Sequence, residues 1–273
     1  MQKKPLELCL YVAGAGAFGV FLRWLENQLA FDDNGLADPS AFHFMLIAFL
    51  VTCAAVFWRF LGQIEKKRYY VPEAPQEALH TDVKLHTLLS WAVGGAMAIG
   101  ALLLFVKSET DPFAGMLRLL STLALLSGAA FPLVLREAQK EAPRLGLMCL
   151  MMVLPLLMYA VWLILSFRQN SINSVHLAFA LDMLAAIMGM IANFHMAGFA
   201  FGAAKPKRAL LSVMFCGTVC IMSLADERHM GMEIILLATA GQMLLYTWIL
   251  LQNLRRKERQ VIVQKDDGFE HLQ

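Results

Sequence analysis

Charge is what this sequence has least of. Asp, Glu, Lys and Arg make up 16% of its 273 residues, whereas 59% are hydrophobic. Soluble domains carry about 25% charged and roughly 45–50% apolar residues. So little charge excludes an ordinary soluble domain and points to a chain that dissolves in lipid. The net charge of +2 argues against a nucleic-acid partner, because binding phosphates needs Lys and Arg clustered on a solvated face.

Reactive and metal-binding patterns are scarce as well. The five cysteines, Cys9, Cys53, Cys149, Cys216 and Cys220, all fall inside apolar stretches, which excludes a disulfide framework in long polar loops. Cys216 and Cys220 share a helix face, but no nearby His or carboxylate completes a metal set, so they read as packing residues. There is no Gly-rich phosphate loop before a Lys, no His-Glu-x-x-His, no Gly-x-Ser-x-Gly and no Asp-x-x-Asp motif. No nucleophile–base pair stands out, so catalysis ranks last among the functional readings. No cofactor is expected either. His43, His86, His176 and His195 lie in or beside apolar stretches, but their spacing does not set a pair at matched depth on facing helices, as axial haem ligation requires.

What the chain has instead is long apolar runs. Eight stretches reach spanning length of about 20 residues, at 7–29, 42–62, 86–106, 113–135, 145–167, 174–202, 208–225 and 232–253. The first continues through Arg23, Trp24 and Glu26 without a small-residue cleavage site, so it reads as a span rather than a signal peptide. Pro132 and Pro155 fall within the fourth and fifth spans and are expected to kink them.

The charged residues that remain are sorted by side. Lys3, Lys4, Arg59, Lys66, Lys67, Arg68, Lys84, Arg136, Lys140, Arg144, Lys205, Lys207, Arg208, Arg255, Arg256, Lys257, Arg259 and Lys265 fall on one side, 18 of the 23 basic residues. The other side holds ENQLAFDDNGLADPSAF, KSETDP, SFRQNS and ADERHMG, acidic or nearly neutral. The alternation holds at every connection. Basic loops stay in the cytoplasm, so the expected fold is an all-α polytopic bundle of eight transmembrane helices in the cell membrane with both termini cytoplasmic. Residues 1–254 form the transmembrane domain and 255–273 a basic, then polar, tail. The tail's NLRRKERQ is expected to prolong the last helix into the headgroup layer, where each basic residue attracts anionic lipid by about 1 kcal/mol. No connection on the acidic side is long enough for a folded receptor module.

Ionisable groups within spans cost about 2.5–3.5 kcal/mol at mid-depth and are the natural candidates for function. Arg23, Glu26, Arg118, Asp182 and Glu233 all fall in the outer half. Arg118 and Asp182 are expected at similar depth, roughly 5–10 Å below the outer interface. At 100° per residue Asp182 shares its face with Ala185, Ala186, Gly189 and Asn193, Arg118 with Ser121, Thr122, Ala129 and Pro132, and Arg23 with Gly16, Gly19 and Asn27. Small residues mark helix contacts in bilayers, so these charges are expected to point inward, with Arg118 against Asp182. His195 lies on another face and in the other half, remote from Asp182. The leading reading is binding or transport of a small solute or ion in an outward-facing pocket formed by Arg118, Asp182, Arg23, Glu26, Glu233 and Asn193. The alternative is a structural ion pair inside a membrane anchor or assembly subunit that binds a protein partner.

Overall fold

A computed structural model describes residues 4–29, 41–67, 69–81, 83–170 and 179–256. Nine helices are present among them: α1 (Lys4–Leu29), α2 (Ala41–Lys66), the one-turn α3 (Pro75–Ala78), α4 (Lys84–Lys107), α5 (Ala114–Ala138), α6 (Leu145–Asn170), α7 (Ala180–Ala200), α8 (Pro206–Met222) and α9 (Met230–Gln252). Ser223–Ala225 add a 3₁₀ turn to α8. All except α3 are long and apolar enough to cross a membrane. A 24-residue helix such as α4 is about 36 Å long, against roughly 30 Å of hydrocarbon. In lipid the backbone must satisfy its own polar groups, and the helix does so within one segment. The chain is therefore an all-α polytopic bundle, and its spanning helices imply lipid contact.

The helices α8 and α9 are the most enclosed and α2 the least. Contacts run α1–α8–α9–α4–α5–α6–α7 and back to α8, with α2 packed outside on α1 and α8. The closest seam is α4 on α5, where a Cβ at Gly128 would stand 2.8 Å from the carbonyl oxygen of Gly94. Only a residue without Cβ permits that approach. Two residues past the end of α7, Gly202 stands at φ 68°, and Ala203 N–H donates to the Gly198 carbonyl at 2.9 Å. That left-handed closure favours glycine.

At the basic end the long connection between α2 and α4 is built, not loose. Tyr69–Tyr70 (β1) pairs antiparallel with Arg255–Arg256 (β2), Tyr69 opposite Arg256. Arg255 pairs with Glu77 at 3.0 Å, and Asn253 Nδ2 donates to the carbonyls of Ala78 and His80 at 2.9 and 2.8 Å. The expected extension of the last helix into NLRRKERQ is thus corrected. The α9 helix stops at Gln252, because Asn253 and the two arginines bond across to the 69–80 segment instead. Residues from Lys257 onward lie outside the described residues.

Candidate functional site

Charged side chains distant in sequence meet at the acidic end, where α1, α2, α6, α7 and the α8–α9 connection converge. On α1, Cβ atoms at Gly16 and Gly19 would stand 2.7 Å from Ile221 Cβ and 2.8 Å from Met222 Sδ. This small stripe lays α1 against the end of α8. One turn further on, Arg23 reaches the connection beyond α8, and its Nε donates to Asp226 Oδ1 at 2.6 Å. Its Nη1 donates to Glu26 Oε2 at 2.5 Å. Glu26 Oε1 lies 2.5 Å from His43 Nδ1, which brings in α2. Asn27 Nδ2 adds a donor to Asp226 Oδ1 at 3.2 Å.

Arg228 extends the network to α7. Its Nη2 donates to Asp226 Oδ2 at 2.9 Å and to Ser223 Oγ at 2.5 Å, and its Nη1 donates to the Ser223 carbonyl at 2.5 Å. Its Nε lies 3.0 Å from Asp182 Oδ1. That contact is an ion pair without hydrogen-bond geometry, and Oδ1 is buried. Asp182 Oδ2 accepts from Ser166 Oγ at 2.5 Å and from Trp162 Nε1 at 3.4 Å, both on α6. Asp182 stands in the first turn of α7, where the helix dipole favours a carboxylate. Arg23 and Glu26 are 2% and 3% exposed. Charges so deep persist only when each has partners, because desolvation costs several kcal/mol per ion.

Beside this network is a cavity of ≈ 680 Å³. Arg23, Lys107 and Arg228 line it together with Asp111, Asp182, Asp226 and Glu227. Leu104, Leu117, Leu165 and Met232 supply apolar wall, and exposed Glu227, His229 and Gln28 contribute to its rim. Further along the α6–α7–α9 seam, Tyr159 and Thr239 hydroxyls meet at 2.5 Å, with the Tyr159 ring filling the place of a Gly189 side chain. Beyond them Asn193, Gln242 and Tyr246 surround a void of ≈ 10 Å³ next to Pro155. Tyr159, Thr239, Asn193, Gln242 and Tyr246 are all buried.

Three of the residues singled out from sequence come together here: Arg23, Glu26 and Asp182. The others do not join them. Arg118 is exposed on α5, and its Nε donates to Ser108 Oγ at 3.3 Å. The buried face of α5 runs through Leu117, Leu120, Ala124 and Gly128, which turns the next residue, Arg118, outward. The expected Arg118–Asp182 contact is replaced by Arg228–Asp182. Glu233 is half-buried in the first turn of α9 and does not line the cavity. Asn193 is buried deeper in α7, where its Nδ2 donates to the Gly189 carbonyl at 2.8 Å. The α7 helix begins at Ala180, so Asp182 lies in its first turn rather than eight residues in; 174–178 lie outside the described residues.

Sequence reasoning missed Asp226, Arg228, His43 and Ser166 as members of the network. The signal for the first two was ADERHMG, a short connection dense in charge of both signs, which reads as a solvated loop. The histidines stand apart: His43 on Glu26, His86 on Thr81 at 2.6 Å, and His195 near Phe194, while His176 is outside the described residues. Cys216 and Cys220 are free and buried, their sulfurs 3.7 Å apart.

Fold and site together define an integral membrane protein of eight spanning helices with a charged cavity at one end of the bundle. Set against known proteins, the chain matches no family model, no curated protein and no solved structure.

Proposed function

We propose that this protein binds a small polar or ionic solute in the cavity at its acidic end and carries it across the membrane. The observation that carries the reading is a cavity of ≈ 680 Å³, the size of a small-molecule site, lined by three cations and four carboxylates. Charges of both signs at the ends of membrane-spanning helices are costly unless they serve packing or a ligand. Arg23, Glu26 and Asp182 hold the rim helices together through Asp226 and Arg228, while the cavity-facing groups meet the solute. In this reading the solute's route onward passes Tyr159 and Thr239 toward Asn193 and Gln242, and Tyr159, wedged on Gly189, is its constriction. By the distribution of basic residues the cavity opens away from the cytoplasm.

Thiol labelling in intact membranes tests the route without knowledge of the solute. Single cysteines are placed at Ser166, Thr239 and Gln242 and challenged with a membrane-impermeant methanethiosulfonate reagent from the acidic-end side. The native cysteines, four buried and one half-buried, set the background. Ser166→Cys is expected to react fastest and Gln242→Cys more slowly but above background. Labelling of all three at background would sink the proposal. Labelling of Ser166→Cys only from the basic-end side would reverse the assigned orientation.

A further inference from the structure

We infer that a phospholipid is held against α4 and α5 at the acidic end, its phosphodiester taken by Arg118. This guanidinium is exposed on a membrane-spanning helix. Its Nε donates to Ser108 Oγ at 3.3 Å, a long bond to a hydroxyl that itself donates to the Phe105 carbonyl. Among the described residues Nη1 and Nη2 make no hydrogen bond, and no carboxylate pairs with Arg118. Arg23 and Arg228, by contrast, turn their guanidiniums on protein carboxylates. A cation within a span is costly without a partner, and this one keeps a planar, two-pronged donor to fill. Phosphate is an anion whose geometry that fork matches.

Depth selects a lipid headgroup. The 25 residues of α5 make about 37 Å of helix against roughly 30 Å of hydrocarbon. Arg118 follows Ala114, the first residue of α5, by about 6 Å along the axis. With α5 centred in the bilayer, its Cα falls about 2–3 Å inside the hydrocarbon edge. Helical side chains lean toward the N-terminus, which for α5 is the acidic end. The guanidinium therefore snorkels to the layer where phosphates lie.

The surface beneath suits acyl chains. Ser121 Oγ donates to the Ala101 carbonyl at 2.6 Å, which sets the level of α5 on α4. Phe105 and Leu119 are exposed near the level of Arg118. Toward mid-membrane, exposed Leu125 and Leu126 continue the face on α5, and exposed Leu102 and Ile99 continue it on α4. A free guanidinium above an apolar stripe matches a molecule with a phosphate above hydrocarbon, whereas a soluble anion would leave the stripe unused. Arg118 does not line the cavity, so this lipid site stands apart from the solute reading. It also lies at the opposite end of the bundle from the basic cluster.

The test titrates the full chain in detergent, at constant ionic strength, with dioleoylphosphatidylcholine, dioleoylglycerol or inorganic phosphate and reads its unfolding temperature. The phosphatidylcholine carries the phosphodiester without net charge, so the basic end attracts it little. It alone is expected to raise the unfolding temperature saturably. Arg118→Gln gives up one long hydrogen bond and should fold as the wild type does. Its phosphatidylcholine titration should shift about ten-fold to higher concentration, the scale of one charged hydrogen bond. Arg118→Lys keeps the charge without the fork and should fall between the two. An unchanged titration in Arg118→Gln overturns the inference, as does no stabilisation of the wild type. Dioleoylglycerol that stabilises as well as the phospholipid overturns it too, because the chains alone then bind. Stabilisation by inorganic phosphate that Arg118→Gln abolishes gives the fork to a soluble anion and overturns the lipid. A change of oligomeric mass in Arg118→Gln, read by light scattering, gives the fork to a second copy of the chain and likewise overturns it.

Discussion

Asp182 and Arg228 set up a direct test of how the acidic end is held together. Their closest atoms are 3.0 Å apart, and their side chains are 13% and 10% exposed. Two unit charges at that distance attract by about 5–6 kcal/mol at an effective dielectric of 20. The contact lacks hydrogen-bond geometry, and Asp226 already offsets part of the Arg228 charge. The coupling expected in a double-mutant cycle of Asp182→Asn and Arg228→Gln is therefore about 2–3 kcal/mol. The single changes should differ. Asp182→Asn keeps a group able to accept from Ser166 and should cost about 2 kcal/mol. Arg228→Gln also strips Asp226 and Ser223 of a partner and should cost about 3–5 kcal/mol, the range for breaking a buried pair. Unfolding in mixed micelles, followed by tryptophan fluorescence, measures all four proteins. The same cycle run on Asp182 and Arg118 should give less than about 0.5 kcal/mol, as expected for side chains that share no partner. A coupling for Asp182–Arg228 below that level, or an Arg118 coupling as large, would refute the network as described.

Two other outcomes follow from packing. Gly189→Ala would place a methyl group 2.5 Å from the Tyr159 ring, so it should cost about 1–3 kcal/mol by overpacking. Gly95→Ala, with nothing within 4 Å of the new atom, should stay within about 0.5 kcal/mol in the same unfolding assay. At the other end, Asn253→Ala removes both side-chain bonds to the carbonyls of Ala78 and His80. Hydrogen exchange across residues 74–81 should then speed up roughly ten-fold, as for a loss of about 1–2 kcal/mol of local stability. Unchanged exchange would mean that the β1–β2 pairing alone holds that segment.

The membrane architecture was legible before any coordinates, because the requirement that creates it is local. Each span needs about 20 apolar residues whose backbone satisfies itself, and Phe42–Lys66 or Met230–Gln252 meets that requirement alone. The small stripes were legible for a similar reason: Gly16 and Gly19 share a helix face whatever they touch, and only residues of that size admit Ile221 and Met222 so closely. The end of the last helix was not legible, since NLRRKERQ has good helical propensity and only the presence of Tyr69–Tyr70 draws Arg255 and Arg256 into a ribbon.

Partner choice among the charges is a different kind of question. Arg23 bonds Asp226 across 203 positions of sequence, and by depth and sign Arg118 was the partner the sequence offered Asp182, whereas Arg228 lay in a connection that reads as solvated. What decided between them is the rotation of α5, set by Leu117, Leu120 and Gly128 against α4, which sends Arg118 outward. The return of the α8–α9 connection over the bundle places Arg228 between Asp182 and Asp226. From sequence alone came the eight spans, the asymmetry of basic charge between their ends, and three of the residues at the site. Only tertiary packing decided which charges meet, because a helix's rotation about its axis and the path of a short loop depend on neighbours that no local pattern contains.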